Sequence, residues 1–218
     1  MTVTLDAIAA AAGAERLAVF GAFHPGPDDM ADGAGTIVLL GPDEPGFWTH
    51  VTAAPEFAGA APHPLDRWSV RVIGTLAGRF GARAVFPFAG SPPAPFIRWA
   101  VASGRAWVAP VGLLVHDVAG LLVSYRGALA LPDRLDLPPV PDAPPCAGCA
   151  APCLTACPVG ALGPQGYDLP ACHAFLDTAP GADCMDRGCA VRRACPVSAS
   201  YARAPAQSAH HMRSFHPR

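Results

Sequence analysis

The sequence predicts an α/β (α+β) chain, with a mixed-sheet domain over residues 1–140 followed by a small cysteine-rich domain over 141–218. Three observations carry this. Helical and strand-like apolar patterns alternate up to Leu131. The stretch LPDRLDLPPVPDAPP, residues 131–145, holds six prolines in 15 residues, reads as a linker and puts the boundary near residue 140. All eight cysteines lie between Cys146 and Cys195, and none precedes them.

The elements follow in order. Leu5 to Ala14 reads as a first helix. LAVFGAF (Leu17 to Phe23) and GTIVLLG (Gly35 to Gly41) read as buried strands separated by a Pro/Gly/Asp turn region. HPLDRWSVRVIGTLAGRF places Leu65, Trp68, Val72, Ile73, Leu76 and Phe80 at helical spacing, the clearest amphipathic helix in the chain. ARAVFPF follows as a strand and PAPFIRWAVASG as a shorter helix entered through prolines. GLLVH and LLVSYRGALAL flank Asp117–Gly120 and predict a hairpin, which is what makes the expected sheet mixed.

Charge excludes more than it suggests. All 15 basic residues are arginine, and the net charge is −2. No basic stripe stands out, so neither a nucleic-acid partner nor an acidic membrane surface is expected. Asp6 sits where a signal peptide wants positive charge, and no apolar run reads as a spanning helix; the expected location is cytoplasmic. In a reducing cytosol, clustered cysteines point to metal or redox chemistry rather than to disulfides.

The cysteines form two groups. The first is Cys146-x2-Cys149-x3-Cys153-x3-Cys157-Pro158; the second is Cys172-x11-Cys184-x4-Cys189-x5-Cys195-Pro196. Close spacing lets a short loop present several thiolates to one iron–sulfur cube, and each group ends in Cys-Pro. In two-cluster ferredoxins the cysteine before proline ligates the other cluster. By that crossing, one [4Fe–4S] cluster takes Cys146, Cys149, Cys153 and Cys195, and the other takes Cys157, Cys172, Cys184 and Cys189. Structural zinc also uses four thiolates, but as two separated pairs. The x3 between Cys149 and Cys153 departs from the bacterial x2, and the second group is looser still. Arg187, Arg192 and Arg193 lie among its ligands, either as solvated surface charge or as an offset to cluster charge.

A cluster domain following a cysteine-free α/β domain resembles epoxyqueuosine reductase and its corrinoid relatives, the reductive dehalogenases and decyanase-type cobalamin-processing proteins. The likeness is most specific in the two Cys-Pro groups and in the lone Cys172 ahead of the second run. It extends to SGRAWVAPVGLLVHDVAGLLVSYRGALAL, where Asp117 replaces the family's proline in a His-Pro turn, and to HPLDRWSVRVI. Asp66 there matches the family's catalytic aspartate, with Arg67 and Trp68 in place of its Tyr-His pair.

The resemblance implies a nitroreductase-like N-terminal domain and a two-cluster ferredoxin-like C-terminal domain. It implies cobalamin as a further cofactor and a cobalamin-linked oxidoreductase as the activity. The reductase's tRNA-binding HEAT-like repeats have no counterpart before Arg218, so a tRNA substrate is not expected. Under the family reading, His116, Tyr125 and Arg126 are candidates to face the corrinoid cavity. Strand alternation sends Tyr125 and Arg126 to opposite faces, so at most one of them does. By its place at the end of an apolar run before a turn, His116 reads more as a hydrogen-bonded turn histidine than as a ligand. His173, beside Cys172, could replace a thiolate, but eight cysteines already fill two sites; His210, His211 and His216 read as an exposed terminus rather than a metal tract, and Trp68, Trp99 and Trp107 read as core. The expected partners are an electron-donor protein or redox enzyme and a small-molecule substrate. The alternative is a ferredoxin-type electron carrier without corrinoid, whose N-terminal domain docks a partner enzyme.

Overall fold

A computed structural model describes residues 3–217. The chain is α+β. It forms two compact units: residues 1–105 with 124–141, and 106–123 with 142–218. A break falls inside the proline-rich segment, but the chain also leaves the first unit at residue 106 and returns at 124, which the single expected boundary did not include.

In the first unit, α1 (Leu5–Ala14) is capped by Thr4, whose hydroxyl accepts from the Ala7 N–H at 3.2 Å. Strand β1 (Leu17–Phe23) pairs antiparallel with β2 (Thr36–Pro42), with a bulge between Val19 and Gly21. Gly21 has φ 141°, and a Cβ there would lie 2.3 Å from the Ser103 hydroxyl, so only glycine fits this bulge. After α2 (Phe47–Thr52) comes α3 (Pro64–Phe80), ending at Gly81 in the left-handed region. Strand β3 (Arg83–Val85) and α4 (Phe96–Ala102) follow.

In the second unit, β4 (Ala106–Val108) pairs antiparallel with β5 (Leu114–His116). The chain then returns to the first unit for β6 (Gly127–Leu131), which inserts between β2 and β3 in the order β1-β2-β6-β3. Among the described residues every strand pairing is antiparallel, so the expected mixed sheet is corrected. The reason is the hairpin. The Asp117–Gly120 turn forms, closed by a His116–Gly120 bridge, but the strands flanking it join different sheets. The true hairpin is β4–β5. Because β2 and β3 both run against β6, they point the same way, with α3 connecting them.

Ile8, Val38, Leu40, Trp68, Val72, Ile73 and Leu129 share one core between the sheet, α1 and α3. Phe20 and Phe23 face away from it, with Phe96, Trp99 and Tyr125 as ring neighbours. The continuous apolar runs of β2 and β6 fit strands that are buried along their whole length.

The rest of the second unit is short elements. A two-residue pair, β7 (Leu162–Gly163) with β8 (Gly166–Tyr167), precedes α5 (Leu169–Leu176), α6 (Ala182–Arg187), α7 (Ala190–Arg193), α8 (Pro196–Ser200) and α9 (Pro205–Phe215). Among the described residues, no helix is long and apolar enough to cross a membrane.

Candidate metal centre

None of the eight cysteines is in a disulfide. The loop from Pro145 to Cys153 turns through Gly148 at φ 73° and Ala151 at φ 50°, which curls Cys146, Cys149 and Cys153 around one hollow. Ala151 N–H points at Cys149 Sγ, 3.4 Å away. The hollow is a cavity of about 330 Å³, walled on its other sides by Ala109, Val115, Leu121 and Pro196. Cys195, from the second run, is its fourth thiol.

Burial pushes the Cys146 thiol up, and Cys195, Cys153 and Cys149 push it further the same way. Cys153 is likewise raised by burial, with Cys195 and Cys149 adding to the effect. Cys195 moves in the opposite direction. Burial raises it, but the N–H groups of Ser198, Leu121 and Val197, with the Ser198 hydroxyl beside them, outweigh that and hold it below the usual thiol value. Cys195 precedes Pro196 at the start of α8, where amides are left without helical partners. Gly120 lets the 117–120 turn approach this point: a Cβ on it would lie 2.4 Å from Ser198 N.

The remaining four cysteines keep separate company. Burial raises Cys172, and its neighbours Cys189 and Cys157 raise it further, against a hydrogen bond from the Tyr167 hydroxyl at 3.3 Å. Cys184 is raised by burial, opposed by the Ala190 N–H, with Cys189 again a neighbour. The proximities thus join Cys195 to Cys146, Cys149 and Cys153, and Cys157 to Cys172 and Cys189.

Among the described residues, no group of three or more His, Cys, Asp or Glu side chains is arranged so that it could hold a metal ion. A four-iron cluster gives each thiolate its own iron, so its sulfurs stand wider apart. The donor chemistry fits that group. Four thiols lining one hollow would repel one another if ionised, and a bound cluster would offset that repulsion by taking each sulfur as a ligand.

The other candidates fall in both units. Arg126 is buried, and donates from Nε to Ser69 Oγ at 3.0 Å and from Nη2 to Asp66 Oδ1 at 2.5 Å. The structure therefore brings Asp66 and Arg126 together as an ion pair, with Phe88 under the guanidinium at 5.9 Å. Tyr125 turns the other way, edge-on to Phe20 at 6.1 Å. His116 lies in the second unit, fully buried, its Nδ1 accepting the Val118 and Ala119 N–H groups at 3.1 and 3.3 Å. That is the geometry of a turn histidine. Trp68 and Trp99 are core, at 1% exposed each. His173 and His216 contact each other through Nδ1 at 2.5 Å, and His216 reaches Asp177 at 2.8 Å, which holds the end of α9 to α5.

Sequence reasoning missed the Leu121, Val197 and Ser198 amides and the Tyr167 hydroxyl. Backbone donors leave no mark in a sequence, and nothing about Tyr167 distinguishes it before folding. No family model, curated protein or solved structure matches the chain.

Proposed function

We propose that the chain is an iron–sulfur redox protein, with two [4Fe–4S] clusters held by residues 142–218 together with 106–123. It passes electrons to a corrinoid, or to another redox centre, held by the N-terminal unit. It resembles epoxyqueuosine reductase in this, without acting on tRNA. The observation that carries the iron–sulfur reading is the 330 Å³ cavity, walled by apolar side chains and by four cysteines, one of them from the other run.

Bound there, such clusters would supply one-electron transfer. The chain's own contribution is binding and tuning. Three amides hold the Cys195 thiol below its usual value. The apolar side chains of Ala109, Val115 and Leu121 would cover one side of a bound cluster. Tyr167 and Ala190 donate to the sulfurs of Cys172 and Cys184.

The corrinoid rests on the resemblance and on the order of the units. A second reading, a ferredoxin-type carrier whose N-terminal unit docks a partner enzyme, is favoured by one observation. Asp66, the residue matched to the family's proton donor, is committed to Arg126.

The test is anaerobic purification with iron, acid-labile sulfide and corrinoid measured together. Two four-iron clusters give about eight iron and eight sulfide per chain. Cys195→Ala and Cys157→Ala are each expected to lower iron to about four, by damaging different sites. Zinc in place of iron, or eight iron retained in both variants, sinks the crossed two-cluster reading. Titration with cob(II)alamin separates the two destinations. A shifted visible spectrum selects the corrinoid, and an unchanged one selects the carrier.

A further inference from the structure

One wall of the first cysteine cavity hangs on a buried histidine. Val115 and Leu121 both line that cavity, and both share an apolar cluster with Cys153 and Cys195. Between them, His116 to Gly120 form a closed turn. The His116 N–H donates to the Gly120 carbonyl at 3.0 Å, and the Gly120 N–H donates back to the His116 carbonyl at 2.9 Å. Within that ring, His116 Nδ1 accepts the Val118 and Ala119 N–H groups at 3.1 and 3.3 Å, with Asp117 Oδ1 3.0 Å from the same nitrogen. A tight turn leaves such amides without backbone carbonyls, and the imidazole supplies their acceptor. His116 is 0% exposed and is not itself part of the cavity lining.

The turn is also fixed to the chain on either side of Cys195. Gly120, at φ 56°, lies so close to α8 that a Cβ on it would sit 2.4 Å from Ser198 N. The Leu121 carbonyl accepts from Arg192 Nη1 in α7 at 2.6 Å, and the Leu122 carbonyl accepts from Arg203 Nη1 at 3.0 Å. We propose that His116 is a positioning residue for the first cluster, holding Val115 and Leu121 as the apolar wall over it and so keeping its reduction potential low. This rests on the iron–sulfur reading above. The direction follows from solvation. Reduction adds one electron and one negative charge to the cluster, and water stabilises the more charged form better than apolar side chains do. Removing the acceptor at Nδ1 loosens the turn, admits water beside the cluster and makes it easier to reduce. The second cluster is untouched.

The experiment compares the anaerobically purified full chain with His116→Leu, His116→Asn and Gly120→Ala. Iron is counted first. Each protein is then titrated with dithionite while the clusters are followed by electron paramagnetic resonance, and the signal missing from Cys195→Ala marks the first cluster. His116→Leu removes the acceptor, whereas the side-chain oxygen of His116→Asn can take the same two amides, as in an Asx turn. Gly120→Ala leaves His116 in place and pushes the turn off Ser198. His116→Leu and Gly120→Ala are each expected to raise the first midpoint by a tenfold change in the one-electron equilibrium, about 59 mV, and to leave the second in place. His116→Asn is expected to stay near the wild-type value. Loss of the first cluster in His116→Leu but not in His116→Asn also supports the assignment, because it shows that the acceptor is what the site needs. If His116→Leu does not fold, Gly120→Ala decides: a raised first midpoint supports the proposal and an unmoved one overturns it. Equal shifts in His116→Leu and His116→Asn overturn it in favour of the bulk of the imidazole. Full iron with unmoved midpoints in His116→Leu overturns it and leaves the cluster reading standing. A wild-type chain without four-iron clusters overturns both.

Discussion

Two arginines show how differently this chain treats positive charge. Arg126 is matched within its own unit by Asp66 and Ser69, whereas Arg192 has only a carbonyl. The first arrangement makes a stability prediction. Asp66→Asn leaves the buried Arg126 charge uncompensated. The expected loss is about 2 kcal/mol, less than for a fully buried pair because the Asp66 side chain is 34% exposed. Arg126→Met costs less, since the carboxylate left behind can turn to solvent. Urea unfolding followed by tryptophan fluorescence measures both, and equal losses would contradict the account. At this scale the cysteines were legible because their spacing and the following prolines are written in side chains. The amides that steady Cys195 were not, because every residue but proline carries one.

Elements were legible where periodicity alone decides them. Helix α1 and strand β1 have the bounds read from the sequence, and the apolar positions of α3 at Leu65, Trp68, Val72, Ile73 and Leu76 are all buried. Strand partners were not legible. The GALAL run of β6 identifies a buried strand but not its neighbours, and the turn at Asp117–Gly120 looks the same whether its arms pair or part. One clamp between elements carries a pH prediction. Glu56, in the loop before α3, accepts from Arg71 Nε at 2.5 Å and from Nη2 at 3.1 Å, and its backbone carbonyl accepts from Arg67 at 2.8 Å. The hydrogen bonds from Arg71 hold the Glu56 carboxyl below its ordinary 4.5 despite partial burial. A depressed folded-state value means the stabilisation is present above that ordinary value and fades as pH falls through the lowered one. Glu56→Gln is therefore expected to lower stability by up to about 1 kcal/mol at neutral pH and to converge with wild type in acid. Melting temperatures across pH 2–7 check this, about the range where a carboxylate titrates, and parallel curves would refute it.

At the scale of the whole molecule, the two units have separate cores, and their stabilities should respond differently to metal. The first is a sheet with apolar packing against its helices. The second has short helices of four to eleven residues and cysteines inside its core clusters, so on the proposed iron–sulfur reading ligand–metal bonds would replace much of the packing that a longer core supplies. Stripping iron with a chelator under anaerobic conditions is expected to lower the melting of the cysteine-rich unit by tens of degrees, on the scale of structural metal binding energies. The sheet unit's transition should stay within a few degrees. Calorimetry of loaded and stripped protein resolves the two, and a single common transition would show that they melt as one.

The detour of residues 106–123 bears on how the protein is made. On the ribosome, β2 and β3 emerge with their shared neighbour still unsynthesised, because β6 comes only after the chain has laid down β4, β5 and the turn that later serves Cys195. The sheet's centre is thus the last strand to arrive, and two apolar edges wait for it. Neither unit can be lifted out with a single cut, and a gene fusion carrying only residues 142–218 would leave behind the Leu121 amide and carbonyl. The segments alternate, first unit, second, first, second, so the chain order is neither an end-to-end splice nor one unit set whole inside the other.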